Sequence, residues 1–175
     1  AHPSPLECHY FGSTPCLLGE GRAMQYAFAP RAPQTSRIPG FPLATPPDYL
    51  RANMARTLSS GPVEFDLTAQ VQTDPQRMPV EDATVRWPVH MSPPVVLATL
   101  RIPKQAFDQA AQHALGERLS FTPWHSIAEH RPLGSAARAQ KRSYLELLRL
   151  QQSQERAIGI EPTGDELREA LPGSR

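Results

Sequence analysis

The residues of this chain that could do chemistry fall into small groups. His125 and His130 flank Glu129, and three such side chains invite a metal ion. Their spacing is His-x4-His, not the His-Glu-x2-His that sets two ligands on one helix face. Pro123 and Pro132 argue against a helix there. Polar loop histidines bonding to backbone are therefore the favoured reading. Cys8 and Cys16 could pair with each other, or ligate an ion with His9, but a free, small apolar cysteine is more common in intracellular proteins. Glu64 and Asp66 share one strand face and could work as an acid–base pair; a solvated strand face is favoured. Glu81-Asp82 reads as a turn in which the aspartate bonds to nearby backbone. Tyr144 lies in a basic run with Arg138, Lys141, Arg142, Arg149 and Arg156, against only Glu146 and Glu155. Nearby cations favour a phenolate, a hard anionic ligand for ferric iron. By composition alone Tyr144 is an ordinary residue of an amphipathic helix.

The elements that must position these groups are legible in outline. Val63, Phe65, Leu67, Ala69 and Val71 alternate with polar residues over ten positions, the period of a half-buried strand. Met24, Tyr26 and Phe28 mark a shorter strand, and Val95–Ile102 is a mostly apolar run stopped by Pro103. Thr45-Pro-Pro-Asp predicts a helix start, with Thr45 as cap and Pro46 and Pro47 in the first turn. Leu50, Met54 and Leu58 then form its apolar stripe, and Gly61 ends it. A second helix is predicted after Pro103, with Phe107, Ala110, Ala111 and Ala114 on one face and Gly116 as its stop. A third runs from about Ala136 to Gln152, with Ala137, Tyr144, Leu147 and Leu148 on its apolar side.

Composition bounds the answer further. The chain has 175 residues, a net charge of +1 and two cysteines. That balance excludes electrostatic capture of nucleic acid or an acidic membrane as the main activity. No run approaches the roughly 18 apolar residues needed to span a bilayer, and nothing resembles a signal peptide. Twenty prolines make about 11% of the chain, twice the usual share of roughly 5%. They cluster between elements, at Thr73–Pro94 and Gly116–Ser135, where their missing N–H costs nothing. Such aperiodic segments with Trp87 and Trp124 are expected to wrap over the surface and pin aromatics inward. The start at Ala1, without Met, suggests processing or membership of something longer.

Two stretches resemble the haem-dependent catalase superfamily. They are Arg51–Gln72, a short helix leading into a long barrel strand, and Met78–Pro88, a loop ending in a Trp-Pro pair. Leu119–Gly134 is similar to the Phe-x-Pro wrapping segment of small catalase-like peroxidases, and Arg138–Tyr144 to their proximal helix. The resemblance implies an α+β fold: a partial antiparallel β-barrel of catalase type, with a long wrapping loop and C-terminal helices. It divides the chain into a barrel part at 1–135, a proximal haem helix at 136–156 and a flexible tail at 157–175. The implied cofactor is haem b, with Tyr144 on the iron and Phe121 near its proximal face. Gln140 stands where the family has an arginine one turn before the tyrosine. Lys141 could partly compensate, and Arg138, six residues back, points elsewhere. The family's distal histidine and asparagine would lie upstream of this chain, so no catalytic residue is assigned. The implied activity is oxidation-reduction with hydrogen peroxide or organic hydroperoxides. The alternatives are a degenerate haem-binding or scaffold module, and an enzyme that rearranges fatty-acid hydroperoxides. The implied partners are the peroxide and either a second copy or a missing N-terminal half, bound at an exposed sheet edge. The expected location is the cytoplasm or the periplasm.

Overall fold

The computed structural model describes residues 2–33, 35–40, 43–119 and 121–153. The expected tail at 157–175 and the last residues of the expected proximal helix lie outside them. The chain forms two compact units. The first gathers Ala1–Phe11, Tyr26–Ala69 and Val95–Asp108; the second gathers Gly12–Gln25, Gln70–Pro94 and Gln109–Arg175.

One antiparallel sheet supplies the strands: β1 (Tyr10–Phe11), β2 (Cys16–Leu17), β3 (Ala23–Pro30), β4 (Val63–Val71) and β5 (Val95–Ile102). Their order is β1-β3-β4-β5, with β2 also on β3. Among the described residues this sheet is open, with β5 at one edge, and is not closed into a barrel. β4 and β5 pair from Val63↔Ile102 to Ala69↔Val95, with a bulge between Leu67 and Thr68. The alternation read from the sequence sets the faces. Phe65 is buried with Leu6 and Leu58, and Phe28, Met54, Val63, Ile102 and Phe107 pack around them. The polar face carries Glu64 and Asp66. Arg31 reaches both, at 3.2 and 3.3 Å, and Arg101 lies 3.9 Å from Glu64. These carboxylates form the solvated face that was favoured, not an isolated acid–base pair.

Helix α1 (Tyr49–Ser60) starts later than its sequence signature. Asp48, not Thr45, is the cap residue, and it makes no side-chain capping bond. Leu58 is buried as expected, but the helix's other buried residue is Asn53. Its amide donates to the carbonyls of Pro3 (2.6 Å) and Arg37 (3.0 Å), and its oxygen accepts from Arg56 (2.8 Å). A buried amide satisfied this fully anchors two remote backbone segments at no desolvation loss. Glu7 does similar work from the surface: its carboxylate accepts from the backbone N–H and hydroxyl groups of Thr35 and Ser36. Burial opposes the charge, but those bonds outweigh it and hold the Glu7 pKa below the usual carboxylate range.

The second unit is built around the proline-rich segment. Trp87 and Met78 are buried with Ala23, and Val80 and Leu133 pack against them. The Trp87 indole N–H donates to Pro79 O at 3.1 Å, closing a loop with no regular structure. Gln72 donates to Met78 O at 2.6 Å and Gln70 to Trp87 O at 3.4 Å, so the end of β4 is tied to the same loop. Asp82 Oδ1 accepts from the N–H (2.9 Å) and hydroxyl (2.7 Å) of Thr84, the turn expected there.

Helix α2 (Ala110–Arg118) departs from the sequence reading. Gln109 and Gln112 form a reciprocal capping box, which starts the helix after Phe107 and releases that ring into the first unit's core. Gly116 lies inside the helix. Helix α3 (Gly134–Ser153) follows the expected range closely. On its apolar side Ala137 is buried and Tyr144 half-buried, but Leu147 is exposed.

Replacing Trp87, which is 1% exposed, by Ala removes the loop's only large buried ring among the described residues. The expected cost is about 3–5 kcal/mol, read as a lower denaturation midpoint at unchanged m-value. A loss below about 1 kcal/mol would contradict this packing role.

Candidate functional site

Two loops fix the start of α3, and with it the basic helix that carries Tyr144. Gly134 has φ +89°, a left-handed conformation, and a Cβ there would lie 2.4 Å from Val80 O. Only glycine permits both. Next, the Ser135 hydroxyl donates to Glu81 O at 3.0 Å. One turn on, Arg138 grips the Glu81 carboxylate with both arms, at 3.1 and 2.8 Å. That fork geometry is the strongest form of carboxylate recognition available to a side chain. The hydrogen bond from Arg138 holds the Glu81 carboxyl below its ordinary range, and Glu81 in turn raises the Arg138 pKa.

The segment 121–133 holds the same helix from another direction. The Trp124 indole N–H donates to Ala137 O at 3.3 Å, and the Lys141 ammonium sits 4.4 Å above the Trp124 ring. Lys141 is exposed, and a cation–π contact at such a site is worth about 0.5–1 kcal/mol. Leu133 N–H donates to Pro15 O at 2.8 Å, and Pro132 bridges to Cys16, so the segment is tied back to β2.

Tyr144 lies ten residues into α3, half-buried, and its hydroxyl makes no hydrogen bond to another described residue. Gln140, one turn earlier, is half-buried and donates to the Ser13 hydroxyl at 3.5 Å, not to Tyr144. Phe121 is 79% exposed. Arg138 points away from Tyr144, as expected, and its partner is Glu81. The four residues singled out from the sequence thus lie in one unit, three of them on one helix, but no hydrogen bond or ion pair joins them to one another.

The other candidates stand as follows. His130 Nδ1 lies 3.2 Å from Leu17 O, a backbone partner. Cys8 and Cys16 are free, and burial raises the Cys16 thiol pKa, the reverse of what a thiolate ligand needs. Among the described residues no group of three His, Cys, Asp or Glu side chains could hold a metal ion. No described helix is long and apolar enough to cross a membrane. Sequence reasoning missed Glu81, Trp124 and Gly134 as the fixtures of α3. The one local signal was a glycine just before a helix and after a proline.

No family model matches the chain, and no curated protein matches it in sequence. Solved structures do. A fungal catalase is similar with a TM-score of 0.64 at 16% identity, over 83% of this chain and 31% of that one. A bacterial catalase is similar with a TM-score of 0.67 at 16% identity, over 100% of this chain and 34% of that one. This chain therefore spans about a third of the length of those catalases. The likeness shows a catalase-type fold.

The Arg138–Glu81 pair carries a pH dependence with a definite sign. The folded pKa of Glu81 is lowered from the ordinary 4.5. Its contribution is complete above that value and is lost as pH falls through the lower folded value. An NMR titration of the Arg138 side-chain N–H signals should show a step below 4.5, absent in Glu81→Gln. A step at or above the ordinary value would contradict the pairing.

Proposed function

We propose that this chain is the proximal part of a haem-dependent, catalase-type oxidoreductase that acts on hydrogen peroxide or organic hydroperoxides, with its open sheet forming part of a barrel. The observation that carries the reading is the catalase-type fold; the sequence resemblance assigns the proximal tyrosine to Tyr144, which lies on α3. The donor chemistry of that position fits a haem ligand. The Tyr144 oxygen is uncommitted among the described residues, and a phenolate oxygen is a hard donor suited to ferric iron. Bound haem would supply the redox-active iron at which a peroxide O–O bond is cleaved.

This chain's own residues would then do the following. Tyr144 would hold the iron through its phenolate oxygen. Gly134, Glu81 and Trp124 hold the helix that carries it. Gln140 offers an amide where an arginine would offer charge. Phe121, exposed on the wrapping segment, supplies an aromatic surface for the macrocycle. The distal acid–base pair is assigned to polypeptide other than these residues. The competing reading, a scaffold without haem, draws on the commitments of the cations near Tyr144: Arg138 to Glu81 and Lys141 to Trp124.

Titration with ferric haem separates the two. A Soret band that is lost in Tyr144→Phe, with the fold intact by circular dichroism, supports ligation; no band in the parent chain favours the scaffold. Gln140→Arg should tighten haem binding by roughly tenfold, about the 1.5 kcal/mol of a charge-assisted hydrogen bond. Peroxide dismutation by the parent chain with haem should stay low, because this reading assigns the distal acid–base pair to none of its residues. Robust turnover would overturn that assignment.

A further inference from the structure

One face of α3 gathers positive charge that the structure only partly offsets. Ser135, Arg138, Ala139 and Arg142 line a surface cleft of about 370 Å³. They recur at i, i+3, i+4 and i+7 and so share one stripe of the helix. At about 100° per residue, that stripe lies roughly 120–180° around the helix from Tyr144. Arg138 spends one N–H of each Nη on Glu81 and is held by that grip. Its Nε–H and the second proton on each Nη make no hydrogen bond to a described residue. Arg142, one turn on, is exposed, and among the described residues it makes no ion pair or side-chain hydrogen bond. Like charges at i and i+4 repel, and Glu81 offsets only one of the two. Ala139 between them has too little bulk to fill the space.

We propose that this cleft binds the phosphate group of a small phosphorylated polyol, with Arg138 and Arg142 as the anion clamp. This does not depend on the haem reading. A guanidinium presents its N–H donors in a rigid fork that matches phosphate oxygens. Two forks on adjacent turns can reach different oxygens of one tetrahedral group. The charge matches as well. A phosphate monoester carries about −1.5 to −2 at pH 7, and Arg138, Arg142 and Glu81 together leave one positive charge for it to meet. Glu81 does not bar the anion, because both its oxygens already accept from Arg138. It pre-positions that arginine, so less side-chain freedom is lost on binding. Ser135 sets the polyol preference. Its hydroxyl proton is committed to Glu81 O at 3.0 Å, so toward the cleft its oxygen can only accept. A hydroxyl beside the phosphate ester supplies the matching donor.

Titration of the full chain with glycerol 3-phosphate and, separately, with inorganic phosphate tests this at low ionic strength, read from the arginine Nε–H signals by NMR. The expected result is saturable shifts at Arg138 and Arg142, with the ester bound about threefold more tightly than inorganic phosphate. Arg142→Gln should weaken both ligands by about tenfold, with circular dichroism unchanged. Ser135→Ala should remove the advantage of the ester and keep the binding of phosphate itself. Arg149→Gln takes a cation from the same helix outside the cleft and should leave both affinities unchanged. No saturable shift at either arginine overturns the proposal. So does an equal loss in Arg142→Gln and Arg149→Gln, which marks diffuse attraction to a basic helix. Inorganic phosphate bound as tightly as the ester overturns the polyol assignment and makes free phosphate the ligand.

Discussion

The burial of Trp87 is the constraint on which the second unit depends. Residues 73–94 form neither helix nor strand, so no backbone ladder gives them a shape. Their order has to come from side chains. Trp87 and Met78 supply the buried surface, and the indole bond to Pro79 fixes the path between them. Local turns at Asp74 and Asp82 then use short carboxylate bonds to backbone and need no core at all. What this rigid loop presents outward is Val80 and Glu81. Those two residues meet Gly134, Ser135 and Arg138, and so decide where α3 begins and which way it runs. An exposed ion pair is ordinarily worth little. Here its two-armed geometry matters because both partners are already held, Glu81 by the loop and Arg138 by the helix, so little entropy is lost in joining them.

How far the sequence could be read follows from the range of the interactions. β3, β4 and β5 were legible because strand alternation and apolar runs are local signals, and each strand lies where its pattern predicted. α3 was legible for the same reason. The start of α2 was not, because a Gln109–Gln112 capping box is unlike the usual Ser/Thr signature. Asn53 breaks the apolar stripe expected of α1, since its value lies in carbonyls 16 and 50 residues away. Glu81 and Arg138, 57 residues apart, carry no mutual signal. Of the candidate site, Tyr144 itself emerged from a resemblance and not from its pattern, because a tyrosine on an amphipathic helix is commonplace. The antiparallel sheet was legible, but not whether it belongs to a barrel: a strand pattern predicts faces, and closure depends on partners that a pattern does not contain.

The same distinction governs the charge around Tyr144. Counted along the sequence, cations crowd the tyrosine. In space they are spoken for. Arg138 is six residues back, about 240° around the helix, and is clasped by Glu81. Arg142, two residues back, falls on the opposite side of the helix from Tyr144 and lines a surface cleft with Arg138. Lys141 is on a nearer face but lies over Trp124. Gln140, one full turn back, has the best position and no charge. Fewer cations are therefore free to approach Tyr144 than a charge count along the sequence suggests.

Proline links these features. The excess that first marked the sequence does two kinds of work, both through the missing N–H. Within 73–94 and 121–133 it keeps chain out of ladders that would compete with the wrapping path, leaving Trp87 and Trp124 free to act as anchors. At Pro93, Pro94 and Pro103 it bounds β5 instead. An edge strand is dangerous in proportion to its length and flatness. Prolines at both ends, with a bulge opposite Leu67–Thr68 that breaks the regular register, confine the exposed edge to one short interval. Among the described residues the apolar edge is thus neither continued nor covered, but limited by proline at both ends.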